Sequence, residues 1–153
     1  MAIGNPDRGD DGFGAAVAAR LRAQAPANVC IVECRGDVLA LLDRWSRYKI
    51  VIVVDAAARD REPGRVRRFD LANDTLPAMF GSASTHALGL AEAVELARTL
   101  GRLPEKLIAY AVEGEDFAIG APLSPMVAAA VAPVTALILG ELTPSLLGTT
   151  ANA

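Results

Sequence analysis

The sequence has one histidine, two cysteines and few aromatic residues, the last making up 5% of 153 positions. A single histidine beside two cysteines that are not spaced C-x-x-C gives a zinc ribbon or a thioredoxin-type site nothing to build on. Cys30 and Cys34 lie four apart in what reads as a strand, so their Cα atoms fall roughly 13 Å apart, beyond disulfide reach. They are expected as buried free thiols. Excess positive charge is also lacking: 15 Lys and Arg against 18 Asp and Glu leave a net charge of -3. That is too little positive field to track a phosphate backbone, and nucleic acid is not an expected partner. No eighteen consecutive apolar residues occur, and the N-terminus lacks the basic-then-apolar order of a secretory signal. A cytoplasmic protein without membrane insertion is expected. Repeats, linkers and low-complexity tracts are absent as well, which leaves one domain over 1–153, with 145–153 as a fraying tail.

What is present is a core: 52% of the residues are hydrophobic and 22% charged, a composition that folds. Val29 to Cys34, Ile50 to Val54 and Leu107 to Val112 are short β-branched runs, too continuous to be half-exposed, and read as strands buried on both faces. Apolar residues recur at helical spacing in the segments around Phe13, Val17 and Leu21, around Val38, Leu41, Leu42 and Trp45, around Leu90, Ala93, Val94 and Ala97, and around Val127, Ala130, Val131 and Val134. Strands alternating with helices indicate an α/β fold, a three-layer αβα sandwich with a mainly parallel twisted sheet. Arg65 to Phe69 follows the turn Glu62-Pro63-Gly64 and, with three arginines, suits an edge strand. Ser124-Pro125 opens the last helix, and Pro133 within it predicts a kink or a short break. One element is missing. A sheet of this type places a buried strand ahead of the first loop and helix, yet only Met1 to Ile3 precede the loop. Either the sheet does without that strand or the natural start lies upstream of Met1.

The loop from Gly4 to Gly14 is rich in residues that allow tight turns. Phosphate binding does not suit it: the spacing is not G-x-G-x-x-G, and Asp10 and Asp11 at the helix start would repel an anion. A cation suits it better, unless both aspartates simply cap the helix. Asp55 follows the run Ile50 to Val54, which puts a carboxylate at the carboxyl end of a central strand, where such sheets bind ligands. A turn-making aspartate is the alternative there. His86, after the N-cap signal Ser84-Thr85, falls at the same edge, as a ligand or as a structural imidazole. Two carboxylates and one imidazole on one rim can hold a metal with positions left open, which fits catalytic zinc, nickel or manganese. A serine hydrolase built on Ser84 and His86 lacks the G-x-S-x-G elbow. Leu71 to Thr85 is long for a connection and carries Leu76, Pro77, Met79 and Phe80, placed on the core or on a surface for a macromolecular partner. Glu113, Glu115 and Asp116 read as a solvated acidic turn.

Gly4-Asn5, Gly9-Asp10-Asp11-Gly12, Val54-Asp55-Ala56, Thr85-His86 with Leu88-Gly89-Leu90, and Leu123-Ser124-Pro125 together resemble the hydrogenase maturation protease family, from Ile3 to about Leu142. The resemblance implies an endopeptidase that removes a short C-terminal extension from the large-subunit precursor of a nickel-iron hydrogenase after nickel insertion. It implies that Asp11, Asp55 and His86 bind a metal, that the nickel is carried by the substrate, and that zinc or cadmium can take its place in vitro. Asp11 and Asp55 are then the catalytic carboxylates of a metal-assisted or aspartic-type peptidase, and Gly4, Asn5, Asp10, Gly36 and Asp37 contact the substrate. A monomer is expected. Three features depart from the family pattern: Ala2 stands where members have a glycine, Glu33-Cys34-Arg35-Gly36-Asp37 resembles one branch of the family rather than another, and Asp11 stands where some members have Glu. The alternative within the same fold is a non-catalytic nickel-checking or assembly protein that binds the precursor without shortening it. A small hydrolase acting on a metabolite is a third class.

Overall fold

The computed structural model describes residues 1–35, 37–57, 62–74 and 85–147, with the side chains of 38, 85–89 and 143–147 outside the description. Its sheet has five strands: β1 (Ala2–Ile3), β2 (Glu33–Cys34), β3 (Ile50–Ala57), β4 (Val66–Asp70) and β5 (Lys106–Glu113). Their order is β2-β1-β3-β5-β4. β1 pairs in parallel with β2 and β3, β3 pairs in parallel with β5, and only β4 runs antiparallel, along the free side of β5. The arginine-bearing strand is therefore at an edge, as its composition indicates. Four α-helices are found among the described residues: α1 (Phe13–Arg22), α2 (Val38–Trp45), α3 (Thr85–Thr99) and α4 (Pro125–Leu147).

The layers follow from alternation along the strands. Val51, Val53, Ala57, Leu107, Ala109 and Ala111 face one way and join Leu41, Trp45, Leu90 and Val94 of α2 and α3. Val54, Ala56, Ile108, Tyr110 and Val112 face the other way and join Phe13, Val17, Val127 and Val134 of α1 and α4. The αβα sandwich is what runs buried on both faces require.

The place that the sequence leaves empty is filled by a stump. Ala2 and Ile3 form a two-residue strand in the middle of the sheet, both buried. This shortens β2 in turn, which the sequence places at Val29 to Cys34 and the structure confines to Glu33–Cys34. The Val32 carbonyl still accepts from the Ala2 N–H at 2.8 Å, but backbone over 29–31 has no residue of β1 opposite it, and a ladder needs a partner. The thiols change accordingly: Cys30 is exposed and Cys34 half-buried, both free, rather than buried as expected. Pro133 does not break α4, which is continuous from Pro125 to Leu147. Pro133 and Ala129, whose carbonyl loses its helical donor, both lie on the exposed side, where solvent can serve that carbonyl. The helix also carries through 145–147, so the tail expected from 145 is helical to Leu147, and 148–153 lie outside the described residues. Over Pro125–Leu142 this helix is long and apolar enough to cross a membrane by length and composition, with mean hydropathy 1.8. Its Val127, Ala130, Val131, Val134 and Ile138 are instead buried in the core against α1 and the sheet.

Candidate functional site

From β1 the chain crosses through α1 to β2 on one side, then returns through α2 to β3 on the other. The sheet's order therefore reverses between β1 and β3, and ligands of open α/β sheets bind outside the carboxyl ends of the strands at that point. Asp11 and Asp55 sit there. Asp55 lies inside β3 opposite Ala111 of β5, because the strand continues two residues past the run of β-branched residues. Asp11 lies in a short 3-10 turn, Gly9–Gly12, between β1 and α1. Gly4 lets the turn fold back: its φ is +124°, and a Cβ there would collide with the Asp11 carbonyl oxygen. Gly9, at φ +54°, lets the same turn meet the Asp116 carbonyl. Both glycines are required by backbone geometry.

Asp10 and Asp11 do not cap the helix, the plainer of the two readings; the N-cap of α1 is Gly12, with no side-chain cap bond. Asp10 is fully buried. Its Oδ2 accepts from the N–H of Glu115 at 2.7 Å and of Asp116 at 2.9 Å, and from the Ser124 hydroxyl at 3.0 Å, while Oδ1 accepts from the Ser124 N–H at 2.7 Å. Burial alone would push its carboxyl up, but these donors together hold it below the usual carboxylate range. Asp10, expected among the substrate contacts, is thus a tether between the first loop and the segment joining β5 to α4. Ser124 stands at the head of α4 as expected, with its hydroxyl turned to Asp10.

Asp11 is buried, and its Oδ2 accepts from the Asn5 N–H at 3.0 Å. Asn5 in turn holds the loop through Oδ1, which accepts from the Asp7 N–H at 3.1 Å. Asp55 is buried too, with Oδ1 accepting from the Ala56 N–H at 2.8 Å and Oδ2 buried without a hydrogen-bond partner. Burial first, and then the neighbouring Asp11 carboxylate, push Asp55 up to about 8, against the pull of the Ala56 N–H. A buried carboxylate pair with an orphaned oxygen fits a cation, which would relieve both the burial and the repulsion.

α3 runs from the carboxyl edge back to feed β5, so the backbone of His86, in its first turn, lies at that edge. The His86 side chain lies outside the described residues, as do Gly36, Ser84 and the segment with Leu76, Pro77, Met79 and Phe80. Asp37 is at the β2 end of the rim, where it caps α2: its Oδ1 accepts from the Ala40 N–H at 2.8 Å. One pair on this rim escapes the sequence reading. Glu113, assigned there to a solvated turn with Glu115 and Asp116, is only 1% exposed. Its Oε1 takes Nε of Arg67 at 2.9 Å and Nη2 at 2.7 Å. Glu113 closes the apolar run Leu107 to Val112 of β5, and a lone acid closing such a run, with arginines on the neighbouring strand, was the available signal. Glu115 and Asp116 are exposed as expected.

Three comparisons bear on this geometry. The hydrogenase expression/formation protein HupD of Bradyrhizobium diazoefficiens is 31% identical over 87% of this chain and 71% of its own length. HupD of Thiocapsa roseopersicina is 28% identical over 91% of this chain and 64% of its own length. The solved structure of the hydrogenase-maturating endopeptidase HybD from E. coli superposes with a TM-score of 0.79 at 26% identity, covering 94% of this chain and 90% of that one. The model of the hydrogenase maturation protease family matches residues 15–141. With its fold and most of its length in agreement, the chain belongs to the hydrogenase maturation protease family, a family of peptidases.

Proposed function

We propose that this protein is an endopeptidase that removes a short C-terminal extension from the large-subunit precursor of a nickel-iron hydrogenase once nickel is in place. The observation that carries the reading is the buried pair Asp11 and Asp55 at the switch point of the sheet, with Asp55 pushed to about 8. Two carboxylates in such surroundings are stabilised by a cation or by a shared proton. The precursor's nickel is that cation, and it belongs to the substrate. Asp11, Asp55 and His86 recognise it, and zinc or cadmium takes the same donors in the isolated protein.

A bound divalent ion polarises a nearby peptide carbonyl. The chain's own part is to hold and move protons. With Oδ1 of Asp55 fixed by the Ala56 N–H, Oδ2, the oxygen without a hydrogen-bond partner, is the donor left for the ion, whose charge keeps both carboxylates ionised. One of the two carboxylates takes a proton from the attacking water and gives it to the leaving nitrogen, so the pair ends with its charge unchanged. Burial keeps bulk water from short-circuiting that exchange.

The test is the intact mass of the nickel-loaded precursor before and after incubation, with His86→Ala and Asp55→Asn alongside. Loss of a C-terminal peptide with the parent protein, and none with either variant, is expected. Normal processing by His86→Ala would remove the nickel-recognition role. No mass loss with any form, together with a stable complex on a sizing column, would replace the peptidase by a non-catalytic assembly protein.

A further inference from the structure

The surface around the carboxyl rim is of a different kind from the acids buried beneath it. Among the described residues the three most exposed large apolar side chains are Ile119 at 86%, Leu39 at 71% and Met126 at 59%. All three stand at the carboxyl ends of the strands. Leu39 is in the first turn of α2, just past β2. Ile119 lies in the segment that leaves β5, and Met126 in the first turn of α4, where that segment arrives. α2 packs on one face of the sheet and α4 on the other, so the acid pair is flanked from both sides.

The sequence singles out the same place independently. From Phe117 to Gly140 there is no charged residue, although Ala118, Ile119, Gly120, Pro122, Pro125 and Met126 are exposed. Apolar residues scattered singly over a surface call for no explanation, whereas an exposed uncharged stretch beside a site marks a contact. This stretch is held to the loop that carries Asp11. The Gly120 N–H donates to the Asp7 carbonyl at 2.7 Å and the Gly9 N–H to the Ala121 carbonyl at 3.1 Å, and Ser124 is bonded to Asp10. Two prolines stiffen it further, so little freedom is left to be lost on contact.

We infer that Leu39, Ile119 and Met126 are the anchors on which the folded large-subunit precursor docks, setting an apolar, uncharged patch of its own over the rim. The partner is taken from the proposed function; the surface that selects it is the addition. The anchors stand on opposite layers of the sandwich, a span that a folded surface covers and the width of one extended strand does not. A charged patch on the partner would lose its water here and meet no counter-charge along 118–126.

Binding of the nickel-loaded precursor is measured in the Asp55→Asn background, which the proposed mechanism leaves unable to cleave, and processing is measured with Asp55 intact. Leu39→Asp, Ile119→Asp and Met126→Asp are each expected to raise Kd at least about fivefold, and in processing to raise KM rather than lower kcat. Leu100→Asp and Leu137→Asp, nearly as exposed as Met126 but away from the rim, are expected to change Kd less than about twofold. Tm should agree within about 2 °C in all five, since the positions are exposed; where Asp lowers it further, Ser at the same position reads the same contact. Rim variants that bind like the parent overturn the inference, as do controls that weaken binding equally or a precursor that binds none of the forms. A parent that binds through the three anchors without cleaving keeps the docking surface and removes the peptidase. A parent that cleaves while the rim variants process normally does the reverse. A dimer of the parent on a sizing column that Ile119→Asp splits would assign the patch to a second copy and overturn the inference, as would retention on lipid vesicles that Met126→Asp abolishes.

Discussion

The two ends of β1 are built from different materials. At the carboxyl end, buried acids, close backbone donors and an arginine are crowded onto the rim, and Asp10 alone receives four hydrogen bonds. At the amino end the sheet opens onto an apolar slot, and the charges Arg68, Lys106 and Glu141, which line a separate hollow against α4, are partly exposed. Polar groups taken out of water are costly unless each finds a partner, so a rim with this many of them is kept for chemistry. Apolar strand edges ask only to be covered. The contrast assigns function to one end and stability to the other, and substitutions at each end should separate the two properties.

The largest effect is expected at Asp55. Asp55→Asn keeps the shape, removes the ionisable carboxylate, and should lower processing of the precursor by at least about 100-fold. Because it also relieves a buried repulsion with Asp11, its Tm should hold or rise, by an amount worth about 1 kcal/mol. A variant that is both inactive and clearly less stable would break the division between the ends. Asp10→Ala is the counter-case on the same rim. It leaves two backbone donors and the Ser124 N–H and hydroxyl without their acceptor, and should cost about 3–4 kcal/mol, read as a Tm lower by roughly 8–12 °C. Arg67→Ala strands the Glu113 carboxylate in apolar surroundings and should cost about 2–3 kcal/mol, whereas Arg67→Ala with Glu113→Gln should recover part of that loss.

How much of this could be read beforehand differs by end in the same way. The layers, the edge position of the arginine strand and the rim placement of Asp11 and Asp55 follow from periodicity and strand-end position, which are local properties of the sequence. The different jobs of Asp10 and Asp11 do not. They are adjacent, identical in type and both buried, and only the return of the chain at Glu115, Asp116 and Ser124, more than a hundred residues later, makes one a tether and leaves the other beside Asp55. Glu113 is hidden for a related reason. A carboxylate at a strand end reads as solvated until Arg67, on a strand that precedes it, is brought alongside. The exposed Cys30 and the shortened β2 both trace to the two residues of β1, since a strand's burial depends on a neighbour that its own sequence does not contain.

The smallest expected effect lies at the amino end and is electrostatic. Glu141 of α4 accepts from Arg68 Nε and Lys106 Nζ, each at 2.7 Å, and from the Tyr110 hydroxyl at 3.3 Å. The bonds from Arg68 and then Lys106 pull its carboxyl from 4.5 down to about 2, against a smaller opposing push from burial. A carboxyl held below its unfolded value binds its proton less readily when folded, so its contribution is complete above about pH 4.5 and fades as pH falls toward 2. With both cationic partners at least a third exposed, that contribution is about 1 kcal/mol. Glu141→Gln should therefore lower stability slightly at pH 7 and flatten the acid limb between pH 4.5 and 2, as read from urea midpoints across that range. High salt should shrink the difference, because solvent-facing pairs are screened. The buried acids of the carboxyl rim, Asp10, Asp11, Asp55 and Glu113, should respond to salt far less; a Glu141→Gln difference that survives high salt unchanged would mean that the amino end is as closed to water as those four.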